Sequence, residues 1–262
     1  MHPALWISQT GLEAQTKDLA VISNNLANAG TVGFKKSRVA FEDLFYQNLR
    51  QPGAQSSADS RLPSGLQLGT GVKVVATQKI HTQGSFQTSE NQLDMAIQGA
   101  GFFQVLLPDG STAYTRAGNF GLDENGQIVT QGNGYVLQPG FTIPQTSTSL
   151  DVATDGTISV QEQGVAAPTV VGNLQLADFV NPSGLQPIGE NLFIETGSSG
   201  APVVGTPGLD GLGAVRGGQL ETSNVSTVEE LVAMIETQRT YETNAKVLSA
   251  VDQMLQFINQ TL

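Results

Sequence analysis

The sequence predicts an α+β chain. A central all-β domain is flanked by long N- and C-terminal α-helices that pair as a coiled coil, with an extended connecting segment. Two observations at the ends and one in the middle predict this. Leu5, Leu12, Leu19 and Leu26 repeat every seven residues near the start, and Met234, Tyr241, Leu248, Leu255 and Leu262 do so at the end. A seven-residue apolar repeat keeps one seam of a helix against a partner helix. Between these ends the pattern turns to alternation and turn dipeptides, which belong to strands. The expected domains are 1–30 with 225–262 (helical), 31–71 (extended connector) and 72–224 (β-rich, outer).

The first helix is expected from Pro3, a residue suited to the first helical turn, to about Ala29, where Asn28 and Gly30 supply stop signals. Ile22 adds a second apolar position to its seam. From residue 30 to 46 the chain reads as an extended stretch with Phe34, Phe41, Phe45 and Tyr46. Residues 51–71 are rich in Gly, Ser, Gln and Pro and read, taken alone, as a flexible loop.

Strand signals begin at Val72. Val72, Val74, Ala76 and Ile80 alternate with polar residues, and Leu93, Met95 and Ile97 do the same. Residues 102–107 are apolar except for Gln104, which suits a central strand. Asp109-Gly110, Asn125-Gly126 and Asp155-Gly156 are hairpin candidates between strand-like residues. Further strands are expected at 128–130, 135–137, 169–179 and 192–195, with a Gly/Pro-rich return loop over 197–218. The last helix is expected to start at Ser226 or Thr227, each with Glu three residues later at capping-box spacing, and to reach about Asn259. Val251 and Ile258 form the second line of its seam.

Composition narrows function. Only 13% of residues are charged, about half the usual fraction, so less charge must be desolvated when this surface packs on a neighbour. A net charge of −11 argues against nucleic acid and against anionic lipid. There is no cysteine, hence no disulfide and no thiolate metal site. No 18-residue apolar run suggests membrane insertion, and no cleaved secretory signal is legible ahead of Lys17.

Chemistry is sparse. His2 and His81 are the only histidines, too few and too isolated for a relay or a metal site. Gly99-Ala100-Gly101 lacks a third glycine and a following helix, so it reads as a tight chain reversal between strands rather than a dinucleotide site. Asp123, Glu124 and Asn125 open like a calcium loop, but Gly134 stands where the closing Glu belongs. Arg116 is the most suggestive single charge. Either it holds an anion or it bridges turns or subunits; no second basic residue lies near it in sequence, which favours the bridge. The expectation is no enzyme, no cofactor and no metal.

Three segments resemble one family. Asn24-Asn25-Leu26-Ala27-Asn28-Ala29-Gly30-Thr31-Val32-Gly33-Phe34-Lys35 is similar to the N-terminal signature of bacterial flagellar rod and hook proteins. Gly99-Ala100-Gly101-Phe102-Phe103, with Tyr114-Thr115-Arg116 and Gly118-Asn119-Phe120, resembles its central β motif. Leu220-Glu221-Thr222-Ser223-Asn224-Val225, with Gln238-Arg239-Thr240-Tyr241, resembles its C-terminal signature. Within the family, residues 46–57 and 62–72 resemble a segment of the distal-rod branch.

The resemblance implies a structural subunit that polymerises into a helical tube and transmits torque from the motor to the hook. It implies contact with further copies, with the proximal rod and hook proteins, and with outer-membrane and peptidoglycan-layer rings that act as a bushing. It implies passage through the flagellar type III export apparatus and a place in the basal body, from periplasm to outer membrane. Another axial protein of the family, or a secreted oligomeric binding module, is the alternative. The expected self-assembly seam is Leu5, Leu12, Leu19, Ile22, Leu26, Met234, Tyr241, Leu248, Val251, Leu255 and Ile258. The motif residues singled out are Asn28, Thr31, Gly33, Phe34, Lys35, Gly101, Phe102, Phe103, Arg116, Ser223, Asn224, Val225, Arg239 and Tyr241. The segment that would stiffen a rod is marked by Gln51, Pro52, Gly53, Ser56, Ser57, Leu62, Pro63 and Gly65.

Overall fold

A computed structural model describes residues 3–52, 64–163 and 167–261. The described chain forms two compact units. One comprises the described parts of Met1–Ala27, Ser37–Gln78 and Ser226–Leu262; the other comprises Asn28–Lys36 and the described parts of Lys79–Val225. N- and C-terminal helices thus flank a β-rich middle, as the sequence predicts at that level.

In the first unit, helix α1 (Pro3–Ala27) packs on helix α2 (Thr227–Thr261). Helix α1 carries no acidic residue in its first turn, whereas α2 begins with Glu229 and Glu230, which suit the positive end of a helix. The Glu229 amide lies 3.5 Å from Ser226 Oγ, the cap that the sequence predicts. Strand Ser37–Asp43 pairs with Val72–Lys79. The flexible-loop reading of 51–71 needs correction near its C-terminal end. Leu66–Leu68 pairs antiparallel with Gln47–Arg50, so the C-terminal side of the segment holds a strand. Gly65 lets the two strands come close, because a methyl group there would stand 2.6 Å from the Arg50 carbonyl oxygen. Gly53, Ser56, Ser57, Leu62 and Pro63 lie outside the described residues.

The second unit holds a nine-stranded antiparallel sheet with Phe102–Leu106 in its middle. That strand pairs with Thr112–Thr115, Val136–Gln138 and Leu176–Asp178. Consecutive side chains on a strand face opposite sides. Phe103 and Val105 therefore enter one cluster with Met95, Ile97, Phe120 and Leu137, while Phe102 enters the other with Tyr114, Phe179 and Phe193. Phe103 meets Phe120 edge-to-face at 5.2 Å. A three-stranded sheet of Ser147–Val152, Thr157–Glu162 and Thr169–Asn173 adds Ile158 and Val160 to the first cluster.

The three turn dipeptides close hairpins as expected, with Gly110, Gly126 and Gly156 at positive φ. Two other readings change. Gly99 and Gly101 (φ 113° and 123°) do not reverse the chain between paired strands. Met95–Gln98 pairs with Ala214–Gly217, so the glycines pass the chain from one sheet to another. The expected return loop over 197–218 contains strands Val203–Gly205 and Ala214–Gly217.

Candidate functional site

In the helical unit, three meetings between α1 and α2 define the pairing. Asn25 Nδ2 donates to Glu230 Oε2 at 3.2 Å. Thr237 Oγ1 lies 3.3 Å from Asp18 Oδ2. A methyl group on Gly11 would stand 3.2 Å from Asn244 Nδ2. Each step is seven residues on both helices and in opposite directions, so the helices are antiparallel. Val251, 6% exposed, continues the line. Asn25 is fully used, because it also donates to and accepts from the Ser37 backbone at 2.9 Å. The line of closest approach is thus small and polar, one residue off the leucines. Among the expected seam residues, Ile22 and Val251 are buried, and Leu5, Leu12, Leu19, Leu26, Met234, Leu248 and Leu255 are half-buried. Tyr241 and Ile258 are exposed.

The β-rich unit holds a buried ionic cluster. Lys35 Nζ donates to Glu221 Oε1 at 2.7 Å and to the Thr82 carbonyl at 2.8 Å. Arg116 Nη1 lies 3.4 Å from Glu221 Oε2, and Nη2 donates to the Gly99 carbonyl at 2.7 Å. The Lys35 and Glu221 side chains are both 0% exposed and that of Arg116 is 5% exposed. Glu221 also accepts the Gly84 amide at 2.9 Å, and its own carbonyl accepts the Gly33 amide at 2.9 Å. Two cations thus share one carboxylate, and the Thr82 and Gly99 carbonyls take two further donors, while Arg116 Nε is buried without a hydrogen-bond partner. Burial pulls Lys35 and Arg116 below their ordinary pKa values, and the Glu221 carboxylate opposes this. Such a cluster locks chain segments far apart in sequence; it presents no reactive group. Among the described residues no group of His, Cys, Asp and Glu could hold a metal ion.

The chain matches three family descriptions in the order the motifs predict. Residues 5–35 match "Flagella basal body rod protein", 96–160 match "Flagellar hook protein FlgE/F/G D1 domain", and 216–261 match "Flagellar basal body rod FlgEFG protein C-terminal". The flagellar basal-body rod protein FlgG of Buchnera aphidicola subsp. Acyrthosiphon pisum is 55% identical over 99% of this chain and 100% of its own length. FlgG of Caulobacter vibrioides is 47% identical over 98% of both chains. The chain belongs to the flagellar rod and hook protein family. The hook protein FlgE of Borreliella burgdorferi, by contrast, is 37% identical over 53% of this chain and 31% of its own. The full-length likeness is to the rod branch, so the chain is a structural subunit of the flagellar basal-body rod and not an enzyme.

The rod and hook signatures now have places. Lys35, Arg116 and Glu221 each come from a different signature and meet in the ionic cluster. Gly33 (φ 70°) approaches so closely that a methyl group would stand 2.5 Å from the Ala117 amide nitrogen. Asn28 and Thr31 form the turn that leads to it, with the Thr31 amide on the Asn28 carbonyl at 3.1 Å. Lys79 Nζ stands 4.4 Å from the centre of the Phe34 ring, and Arg116 stacks over Phe102 at 5.3 Å. Asn224 accepts the Lys36 amide and donates to the Ile80 carbonyl, both at 2.8 Å. Ser223 Oγ accepts the Val225 amide at 3.2 Å. Gly101, Phe102 and Phe103 start the central strand. Arg239 and Tyr241 do not join this cluster; both are exposed on α2.

Two contributors escaped sequence reasoning. Glu221 was quoted within a signature but not singled out. The signal was there: it is the lone charge between Arg216 and Glu229. His81, just beyond strand Val72–Lys79, packs edge-to-face on Phe102 (5.5 Å) and Phe193 (5.4 Å). Its pKa falls to about 4, first through burial and then through the charges of Lys35, Arg116 and Lys79; the Pro182 carbonyl works the other way. The unfolded chain therefore takes up this proton more readily than the folded one. The associated stability is complete above about pH 6.5 and is lost as pH falls toward 4, by about 3 kcal/mol at the acid end. Urea midpoints measured between pH 7 and 4 should fall, and His81→Phe should flatten that fall.

Proposed function

We propose that the chain is the subunit of the distal rod, and that it polymerises with like copies into a helical tube that carries torque from the motor to the hook. Full-length likeness to rod proteins named FlgG supports the rod branch. One structural observation carries the polymer reading. On α2, Val228, Leu231, Val232 and Ile235 are 70, 47, 51 and 50% exposed, on the side away from α1. An apolar helix face of this kind calls for a partner of its own. A contact between unlike faces that does not close gives a filament rather than a ring.

The finer parts of the reading follow from it. The α1–α2 pair acts as an antiparallel coiled coil that lines the tube, and the expected seam residues are shared between the chain and its neighbours. The residues between 72 and 224 form the outer β domain, and 31–71 connects it to the helices. The Gln47–Arg50/Leu66–Leu68 ribbon, with Phe45, Leu49, Leu66 and Leu68 exposed, supplies contacts between copies that stiffen the shaft. Neighbours along the axis are the proximal rod and hook proteins. Ring proteins of the peptidoglycan layer and outer membrane surround it, and the subunit reaches this place through the flagellar type III export apparatus.

Light scattering and electron microscopy of the purified chain test the polymer reading. Above a threshold concentration the chain should grow into open-ended tubes. A closed oligomer of fixed size would favour the secreted binding module instead.

A further inference from the structure

Each terminal helix has a second patterned face, and the two patterns fit each other. The outer side of α2 reads apolar, charged, apolar: Val228, Val232 and Ile235, then Arg239, Glu242 and Lys246, then Ala250 and Met254, all exposed. The outer side of α1 reads bulky, charged, small: Trp6 (50% exposed), then Glu13 and Lys17, then Ala20 and Ala27. Glu13, Lys17, Glu242 and Lys246 have no ion pair among the described residues. Within one chain these groups cannot meet, because the helices touch through their opposite sides, at Gly11, Asp18 and Asn25 against Asn244, Thr237 and Glu230.

Resting on the polymer reading, we infer that the outer face of α2 receives α1 of a second copy, in a register that pairs Glu13 with Lys246 and Lys17 with Glu242. Three arguments lead there. Copies in a helical polymer share one polarity, so a neighbour's α1 lies antiparallel to α2, as the chain's own α1 does. In that direction one register satisfies both charge pairs at once. The same register sets Ala27 against Val232 and Ala20 against Arg239, so small side chains face large ones. It also brings Trp6 beside Ala250 and Met254, where the apolar surface resumes.

The register has a geometric consequence. Within the chain Asp18 faces Thr237; between chains Lys17 faces Glu242. The neighbour's α1 is thus shifted by one helical turn relative to the chain's own, about 6 Å along α2. Ion pairs in the middle of an otherwise apolar contact contribute mainly by rejecting other registers. This assigns a role to Glu242 and Lys246, which are exposed in the single chain.

Charge reversal in the full chain tests the register. Lys17→Glu and Glu242→Lys should each raise the concentration needed for tube growth about tenfold. The double variant should return to within about threefold of wild type, and circular dichroism of all three monomers should match wild type. The absence of native cysteine permits a direct check. Chains carrying only Lys17→Cys, mixed with chains carrying only Glu242→Cys, should form disulfide-linked dimers in tubes, since bridging requires Cα atoms within about 7 Å. Single variants that grow like wild type, a double variant as impaired as the singles, or no mixed dimer would overturn the register while leaving the polymer reading intact. Failure of wild-type chain to grow at all would overturn the polymer reading and the register with it.

Discussion

Glu221→Ala should be the most destabilising single change in the β-rich unit, at about 3–5 kcal/mol. The substitution removes the carboxylate that Lys35 and Arg116 share and leaves both buried, with only the weaker influence of Asp178 on Arg116. It also takes the acceptor from the Gly84 amide. Uncompensated charge in a dry site costs far more than the net worth of the pair it came from. A typical domain is stable by only about 5–15 kcal/mol, so this loss brings the unit close to its unfolding midpoint. Glu221→Gln keeps the shape and one acceptor oxygen for the Gly84 amide, and should lose less. Urea titration followed by far-ultraviolet circular dichroism measures both. The midpoint should fall with little change in slope, because the surface exposed on unfolding is the same. A Glu221→Ala midpoint within about 1 kcal/mol of wild type would show that the cluster contributes little.

The parts of this fold that were legible in the sequence are those fixed by neighbours in the chain. Asp109-Gly110, Asn125-Gly126 and Asp155-Gly156 each place a glycine where positive φ is needed, and each closes its hairpin locally. The apolar run from Phe102, broken only by Gln104, follows from burial on both faces, which is a property of the strand itself. What was not legible depends on distant partners. Strand Leu176–Asp178 joins Phe102–Leu106 to Val203–Gly205, and the latter hides in a Gly/Pro-rich stretch that reads as a loop. Lys35 and Glu221 are 186 positions apart, and Arg116 and Glu221 are 105 apart. Nothing in local composition announces such a meeting. The helical pairing was half legible. Seven-residue spacing pointed to the helices, while the side-chain meetings between them fall one residue before Leu12, Leu19 and Leu26. Gly11, Asp18 and Asn25 meet Asn244, Thr237 and Glu230, a small and polar line that an apolar repeat does not mark.

Ile22→Asp should abolish polymerisation while leaving the β-rich unit folded. Ile22 is 6% exposed on the inner side of α1. It sits one turn after Asp18 and three residues before Asn25, the side chains that meet Thr237 and Glu230. That face already carries two acids, Asp18 and Glu230, and the three meetings that define it include no Lys or Arg. A third acid one turn from Asp18 adds like-charge repulsion to the cost of desolvating a carboxylate, for a total of several kcal/mol. Helices in proteins owe most of their stability to tertiary packing rather than to propensity, so both ends should fray together once the packed face is lost. Ile22→Ala supplies the control: it removes apolar volume without charge, costs about 2–4 kcal/mol, and should weaken growth rather than stop it. Hydrogen exchange should show the loss of protection confined to 3–27 and 227–261, with the strands of the β-rich unit protected as in wild type. Tubes grown from Ile22→Asp at wild-type concentration would mean that α1 and α2 need not pair for copies to assemble. Exchange that spreads into the β-rich unit would mean that the two units do not fold independently.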